Sequence, residues 1–270
     1  MNRIQMTIPE RDYASQEAFK SLRANLQFCG SDIKVIAVTS CIANEGKSTT
    51  VLDLAVSLAE SGKRTLMIDA DMRNSVLVSI TNAVMVEENT KNAADVSGSQ
   101  TENHRVSGAG QIKGLAHALS GQCGVNDVVN ATNIPNLYMI FSGPFPPNPS
   151  ELLGGKRFKS LIENFRKVFD YILIDTPPIG LVIDAAVVTD VCDGSILVIA
   201  SGDISYNFAL EAKEQLSRSE CPILGVILNK VEVQNESYGR YGKYGKYGKY
   251  GKYGSYGNYG SHGTSDKKES

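Results

Sequence analysis

The sequence predicts an α/β fold with a mostly parallel central sheet flanked by helices, followed by a disordered C-terminal tail. Three observations predict it. Short apolar runs such as Val35-Ile36-Ala37-Val38 and Tyr171-Ile172-Leu173-Ile174 lack polar alternation; such runs suit strands covered on both faces. Segments of helical spacing lie between these runs, the alternation that builds parallel sheets. From Ser237 onward the chain repeats Tyr-Gly-X. Glycine removes the side chains that would pack, and Lys or Arg at most third positions keeps the segment solvated.

The elements follow in order. A helix is expected over about residues 14–28. Val35 to Val38 forms a strand ending at Thr39-Ser40, and Val51, Leu54, Ala55 and Leu58 then recur at helical spacing until Gly62 closes the helix. Thr65 to Ile68 is the next strand. Thr81 to Lys113 is rich in Asn, Glu, Thr, Ser and Gly without periodicity, and reads as a mobile insertion. Leu137 to Phe141 is a strand, and Phe158, Leu161, Ile162 and Phe165 mark a helix. Tyr171 to Ile174, Ser195 to Ile199 and Ile223 to Leu228 are three further strands. Residues 1–236 thus form one large domain and residues 237–270 the tail. In such a sheet, ligands bind at the carboxyl ends of the strands.

Composition excludes several classes. Five cysteines (Cys29, Cys41, Cys123, Cys192 and Cys221) form no C-x-x-C pair and no disulfide framework, which favours a reducing cytoplasm. His104, His117 and His262 are scattered and suggest neither a metal cluster nor a nucleophile pair. No apolar stretch approaches a membrane span and no signal peptide is expected. The net charge of −2 hides an asymmetry: residues 237–270 carry seven Lys/Arg against two Asp/Glu, leaving 20 against 27 in the rest. A tail of +5 can lie against a body of −7. No nucleic-acid partner is expected.

The tail holds Tyr238, Tyr241, Tyr244, Tyr247, Tyr250, Tyr253, Tyr256 and Tyr259 at strict three-residue spacing. Eight solvated phenols invite phosphorylation. The alternative is a low-complexity adhesive segment.

Chemistry concentrates after the first apolar strand. Asn44-Glu45-Gly46-Lys47-Ser48-Thr49 contains the Gly-Lys-Ser core of a phosphate-binding loop, although Cys41 stands where the full pattern has its first glycine. Backbone amides at a helix N-terminus cradle phosphate oxygens, Lys47 reaches the β and γ phosphates, and the Ser48 hydroxyl ligates magnesium. Two acidic strand ends follow, Met67-Ile68-Asp69-Ala70-Asp71 and Leu173-Ile174-Asp175-Thr176-Pro177-Pro178. Helix or turn capping is the simpler reading of each carboxylate. As a set with the loop, they supply what phosphoryl transfer to a phenol needs: a metal site and a carboxylate to take the proton.

These motifs resemble the Walker A, A′ and B motifs of bacterial tyrosine kinases, particularly the cytoplasmic capsular and exopolysaccharide type of Gram-positive bacteria. Pro146-Pro147-Asn148-Pro149-Ser150-Glu151-Leu152-Leu153, Asp184-Ala185-Ala186 and Gly225-Val226-Ile227-Leu228-Asn229-Lys230 resemble further segments of that family, as does the tyrosine cluster. The resemblance implies a P-loop NTPase fold that uses ATP and Mg2+. It implies phosphate and magnesium binding by Lys47 and Ser48, Asp69 as base, Asp71 and Asp175 at the metal, and Asn229 near the adenine. It further implies a role in polysaccharide synthesis and export. Because the tail begins only about eight residues after the Leu228 strand, its early tyrosines are not expected to reach their own site, so autophosphorylation in trans is expected, with a separate tyrosine phosphatase to reset it. A membrane-anchored activator, the polysaccharide co-polymerase, would recruit the protein to the inner face of the membrane through its cytoplasmic segment.

The family's ring-forming helix carries E-x-x-R-x-x-R, and here the stretch offers Glu17, Lys20 and Arg23. Lysine keeps the charge at position 20 but loses the bidentate fork of arginine. Ala43 and Asn44 replace Pro and Gly in the loop; asparagine tolerates left-handed backbone. Two rivals remain. A positioning or partitioning ATPase shares the three motifs but usually carries a second lysine where Ile42 stands, and gives no reason for the tail. A catalytically idle docking scaffold is the other.

Overall fold

All residues of three strands, β2 (Val35–Ser40), β3 (Thr65–Asp69) and β8 (Tyr171–Asp175), are buried. That requires cover on both faces of the sheet. The computed structural model describes residues 1–86, 106–107 and 112–231. Ahead of β2 lie β1 (Asn2–Gln5) and α1 (Tyr13–Phe28); α2 (Lys47–Glu60) joins β2 to β3. Then come α3 (Leu77–Thr81), β4 (Val84–Val86), β5 (Val106–Ser107), α4 (Leu115–Leu119), β6 (Asn130–Ala131), β7 (Leu137–Ile140), α5 (Pro149–Leu153) and α6 (Lys156–Phe165). After β8 the chain forms α7 (Asp184–Thr189), β9 (Gly194–Ala200), α8 (Tyr206–Leu216) and β10 (Ile223–Asn229).

Among the described residues, ten strands form a sheet in the order β10-β9-β2-β8-β3-β7-β6-β1-β4-β5. The run from β10 to β7 is parallel, and β6 turns antiparallel on β7. Alternate residues of β2 enter opposite layers, as the strand period demands. Ile36 and Val38 pack with Val51, Leu54 and Leu58 of α2. Val35 and Ala37 share a cluster with Phe158, Leu161, Ile162 and Phe165 of α6. The i, i+3, i+4, i+7 spacing of those four α6 residues puts them on one face, and all four are buried. Each such side chain contributes about 1.5–3 kcal/mol, an upper figure because unfolded chains already bury some surface. The mostly parallel α/β architecture expected from sequence is present.

Because β8 lies between β2 and β3, the carboxyl ends of three strands meet. Asp175 is in register with both Val38 and Asp69. This crossover places Asp69 beside Asp175 although 106 positions separate them along the chain.

Two regions differ from the sequence reading. The ends of the expected 81–113 insertion are strands: β4 pairs with β1, and β5 with β4. Runs of three and two residues carry no readable period, and pairing onto β1 and then onto β4 decides their conformation. Residues 87–105 and 108–111 lie outside the described residues, as does the tail. Among the described residues strand β10, expected to be covered on both faces, pairs with β9 alone and leaves Val226 at 54% and Leu228 at 57% exposure. An edge position beyond the covering helices accounts for that.

Helix α1 is present over the expected range, capped by Asp12, whose side chain accepts from the Ser15 amide at 2.8 Å. Lys20 pairs with Glu17 of its own helix at 2.7 Å, and Arg23 donates to the Ser57 carbonyl of α2 at 2.7 Å. No helix among the described residues is long and apolar enough to cross a membrane.

Candidate phosphate-binding site

The turn from β2 into α2 is held by two residues with positive φ, Asn44 at 66° and Gly46 at 81°. Asparagine tolerates this conformation and glycine adopts it freely. Gly46 is required for a second reason: a Cβ there would stand 2.1 Å from Asn229 Nδ2. The amide of Asn229 donates to the Glu45 carbonyl at 2.9 Å, so the end of β10 braces the loop from behind. The Glu45 carboxylate is buried and accepts from the amides of Ile42 at 2.8 Å and Ala200 at 3.1 Å. Glu45, part of the loop motif, therefore directs its side chain to the loop and β9. The first-turn amides of α2 lack intrahelical acceptors, so the loop is a ready anion site.

Asn44, Gly46, Lys47, Ser48, Thr49, Asp71 and Arg73 line one cleft of about 520 Å³ with Pro177 and Pro178. Lys47 is 6% exposed and its ammonium bridges two carboxylates: it donates to Asp175 Oδ1 and lies 3.8 Å from Asp71 Oδ2. Ser48 Oγ is 3.3 Å from the same ammonium. The second oxygen of Asp175, Oδ2, is buried and accepts no hydrogen bond from the described residues. Burial pushes Asp175 above the usual carboxylate range, against the pull of Lys47.

Asp69 sits one layer deeper, fully buried. Its carboxylate accepts from the Asp71 amide at 3.1 Å and from the Ser75 hydroxyl. Burial first, and then the charge of Asp175, pushes it up to about 7, while Ser75 and Lys47 pull the other way. Asp71 is 7% exposed, faces the cleft, and accepts from the Asn74 amide at 3.0 Å. The fold thus brings Lys47, Ser48 and Asp71 to the cleft lining, with Asp175 and Asp69 buried behind them. Asn229 is near the loop but does not line the cleft.

Two supporting groups were not assigned from sequence. Ser75 fixes Asp69, and no local pattern distinguishes a serine six residues downstream. Arg73 donates to Asp184 at 2.7 and 3.1 Å, and Ser150 donates to the same carboxylate. Burial raises the Asp184 pKa, and the bonds from Arg73 and Ser150 outweigh it to leave a net lowering. This cluster ties the loop after β3 to α5 and α7. Asp184 and Ser150 stood in segments resembling the family, without an assigned role.

Residues 33–219 match the AAA domain family. Tyrosine-protein kinase CpsD of Streptococcus agalactiae serotype III is 45% identical over 225 residues, covering 83% of this chain and 86% of that protein. The kinase domain of Escherichia coli tyrosine kinase ETK is similar in structure, with a TM-score of 0.67 and 28% identity over 83% of this chain and 80% of that one. The septum site-determining protein MinD of Pyrococcus horikoshii, complexed with Mg-ADP, gives a TM-score of 0.54 at 22% identity over 75% of this chain and 72% of that one. That last likeness is one of fold alone. At 45% identity over 83% of its length to such a kinase, the chain belongs to the bacterial tyrosine-protein kinases.

Proposed function

We propose that this chain is an ATP-dependent protein-tyrosine kinase that phosphorylates the C-terminal tyrosine cluster of another copy of itself, and that it regulates capsular or exopolysaccharide synthesis and export. The observation that carries the chemistry is the meeting of Lys47, Asp71 and Asp175 at the mouth of the phosphate loop, with Asp69 behind them. The polysaccharide role rests on the family resemblance.

ATP places its phosphates over the first-turn amides of α2, and Lys47 exchanges its carboxylate partners for the β and γ oxygens. Ser48, Asp71 and the Asp175 oxygen that no described residue engages would hold magnesium, an ion that suits one or two carboxylates beside substrate phosphates. When bound, the ion neutralises charge on the transferring group. The phenolic oxygen forms its bond to the γ phosphorus as the bond to the ADP oxygen breaks, and the phenol proton passes to a carboxylate. Asp69, with a pKa of about 7, suits that role near neutral pH. A second reading assigns the base to Asp71, because Asp71 lines the cleft whereas both Asp69 oxygens are engaged.

Transfer occurs between copies. Mixing active chain with a Lys47→Met chain distinguishable by mass should place phosphotyrosine on the inactive copy. Its absence there, with tail phosphorylation intact on the active copy, would reject transfer in trans.

A ring assembles through Glu17, Lys20 and Arg23 of α1. Freeing Lys20 for a neighbour costs little, since an exposed pair such as Lys20–Glu17 is worth about 0–1 kcal/mol. A membrane-anchored co-polymerase activates the kinase through its cytoplasmic segment and holds it at the membrane, and a separate phosphatase resets it. Each phosphate adds about −1.5 to −2 charge, so three modified tyrosines bring the +5 tail to about neutrality. Self-association should therefore fall in steps with phosphate number, most clearly at low salt. Identical size distributions for phosphorylated and Tyr→Phe tail variants at equal salt would count against the electrostatic switch.

A further inference from the structure

Glu45 lies inside the phosphate loop yet does not line the cleft, and neither does Asn229. Glu45 is 1% exposed, and both of its carboxylate oxygens accept backbone amides, Oε2 from Ile42 at 2.8 Å and Oε1 from Ala200 at 3.1 Å. A buried carboxylate is costly unless its oxygens are bonded, and here backbone supplies the bonds. The Glu45 carbonyl accepts from the Asn229 side-chain amide at 2.9 Å. Ala200 and Asn229 end β9 and β10 in register, and the Ser201 amide donates to the Asn229 carbonyl at 2.8 Å. Two fixed strand ends therefore grip one residue of the turn.

We propose that Glu45, gripped by Ala200 and Asn229, is a positioning residue that preorganises the phosphate loop for a triphosphate; the proposal rests on the kinase reading only in that choice of ligand. The loop works through backbone amides, which converge on an anion in one backbone conformation. Asn44 and Gly46, on either side of Glu45, both hold positive φ, at 66° and 81°. Left-handed backbone at a residue other than glycine is disfavoured and persists where the surroundings over-determine it. The bonds to Glu45 are those surroundings. Charge separates this role from direct contact: a carboxylate beside phosphates repels them, so its removal would tighten binding, whereas loss of a latch loosens it. Asn229 divides in the same way, because a contact with adenine matters to nucleotides alone and a brace on the Glu45 carbonyl matters to any phosphate chain.

The test uses full-length protein with magnesium and compares two ligands, ATP and inorganic tripolyphosphate, which has the phosphates without base or sugar. Calorimetry gives both Kd values for wild type, Glu45→Ala, Glu45→Gln and Asn229→Ala, well below the melting temperature of each. If the competent loop falls to about one tenth of the population, Kd rises about tenfold. Glu45→Ala and Asn229→Ala should each show a rise of that order for both ligands. Glu45→Gln should lie between wild type and Glu45→Ala, since its carbonyl oxygen can hold one amide while its NH2 cannot accept from the other. A merely structural role would lower the melting temperature and leave these Kd values unchanged, which overturns the proposal. Tighter tripolyphosphate binding in Glu45→Gln overturns it in favour of charge repulsion. Weakening of ATP alone in Asn229→Ala assigns that side chain to the base and overturns it equally, as does failure of the wild type to bind tripolyphosphate. Phosphotyrosine formation by the wild type is a separate measurement: its absence would reject the kinase reading and leave the Kd ratios to decide the latch.

Discussion

Replacing Lys47 by methionine is expected to abolish phosphotyrosine formation, a loss of about 10³-fold or more, because the cation that would stabilise the transferring phosphoryl group is gone. The structure adds a second consequence. Lys47 is the cation facing Asp175 and Asp71 at the cleft floor, and Asp175 is wholly buried. Breaking a buried pair costs about 3–5 kcal/mol when the remaining partner stays charged. Asp175 is already pushed up by burial, and loss of Lys47 pushes it further, so the folded state holds a proton that the unfolded state releases. Stability of the variant should therefore fall as pH rises, and its melting deficit should be larger at pH 8 than at pH 5. Adding Asp175→Asn should restore the melting temperature without restoring transfer. A Lys47→Met chain that phosphorylates at the wild-type rate would remove Lys47 from the chemistry, whatever its stability.

How much of this was legible depended on how local each feature is. Asp69 and Asp175 stood out because an acid ends an apolar strand run, which is costly unless the strand end faces a ligand. The loop at Asn44 to Thr49 was legible for the same reason: glycine, lysine and hydroxyl fall at fixed offsets before a helix. Contacts made by the fold were not legible. Ser75 reaches Asp69 only because the chain turns back after Asp71, and Arg73 meets Asp184 across 111 positions of sequence. The Glu45 carboxylate lies inside a motif, yet its acceptance from Ala200 depends on β9 being next to β2 in the sheet. Exposure of Val226 and Leu228 followed from β10 being an edge, which an apolar run cannot announce. The rival positioning ATPase shares fold with this chain, as the MinD likeness at 22% identity illustrates, but Ile42 offers no second lysine and the tyrosine repeat has no place in that scheme.

Converting Asp69 to asparagine is expected to leave the nucleotide Kd within about twofold while lowering turnover by about 10²–10⁴, the usual contribution of a general base. Asparagine fits the site: its carbonyl oxygen can accept from the Asp71 amide, and its NH2 can donate to the Ser75 hydroxyl. The pH behaviour follows from the raised carboxylate. A base works deprotonated, so the wild-type rate should rise with pH and level off above about 7. For stability, an Asp raised from 3.8 to about 7 binds more protons folded than unfolded across that window, so wild-type stability falls as pH rises through it. Asp69→Asn removes that loss. Its melting temperature should match wild type near pH 4 and exceed it near pH 8, by about 2–4 °C for each kcal/mol recovered. The same pair of profiles decides between the two carboxylates. If Asp69 is the base, Asp69→Asn loses the acid limb of the rate profile and Asp71→Asn keeps it. Should Asp69→Asn retain the limb and Asp71→Asn lose it, the proton goes to Asp71 at the cleft surface, and Asp69 acts as the buried carboxylate that positions it through the Asp71 amide.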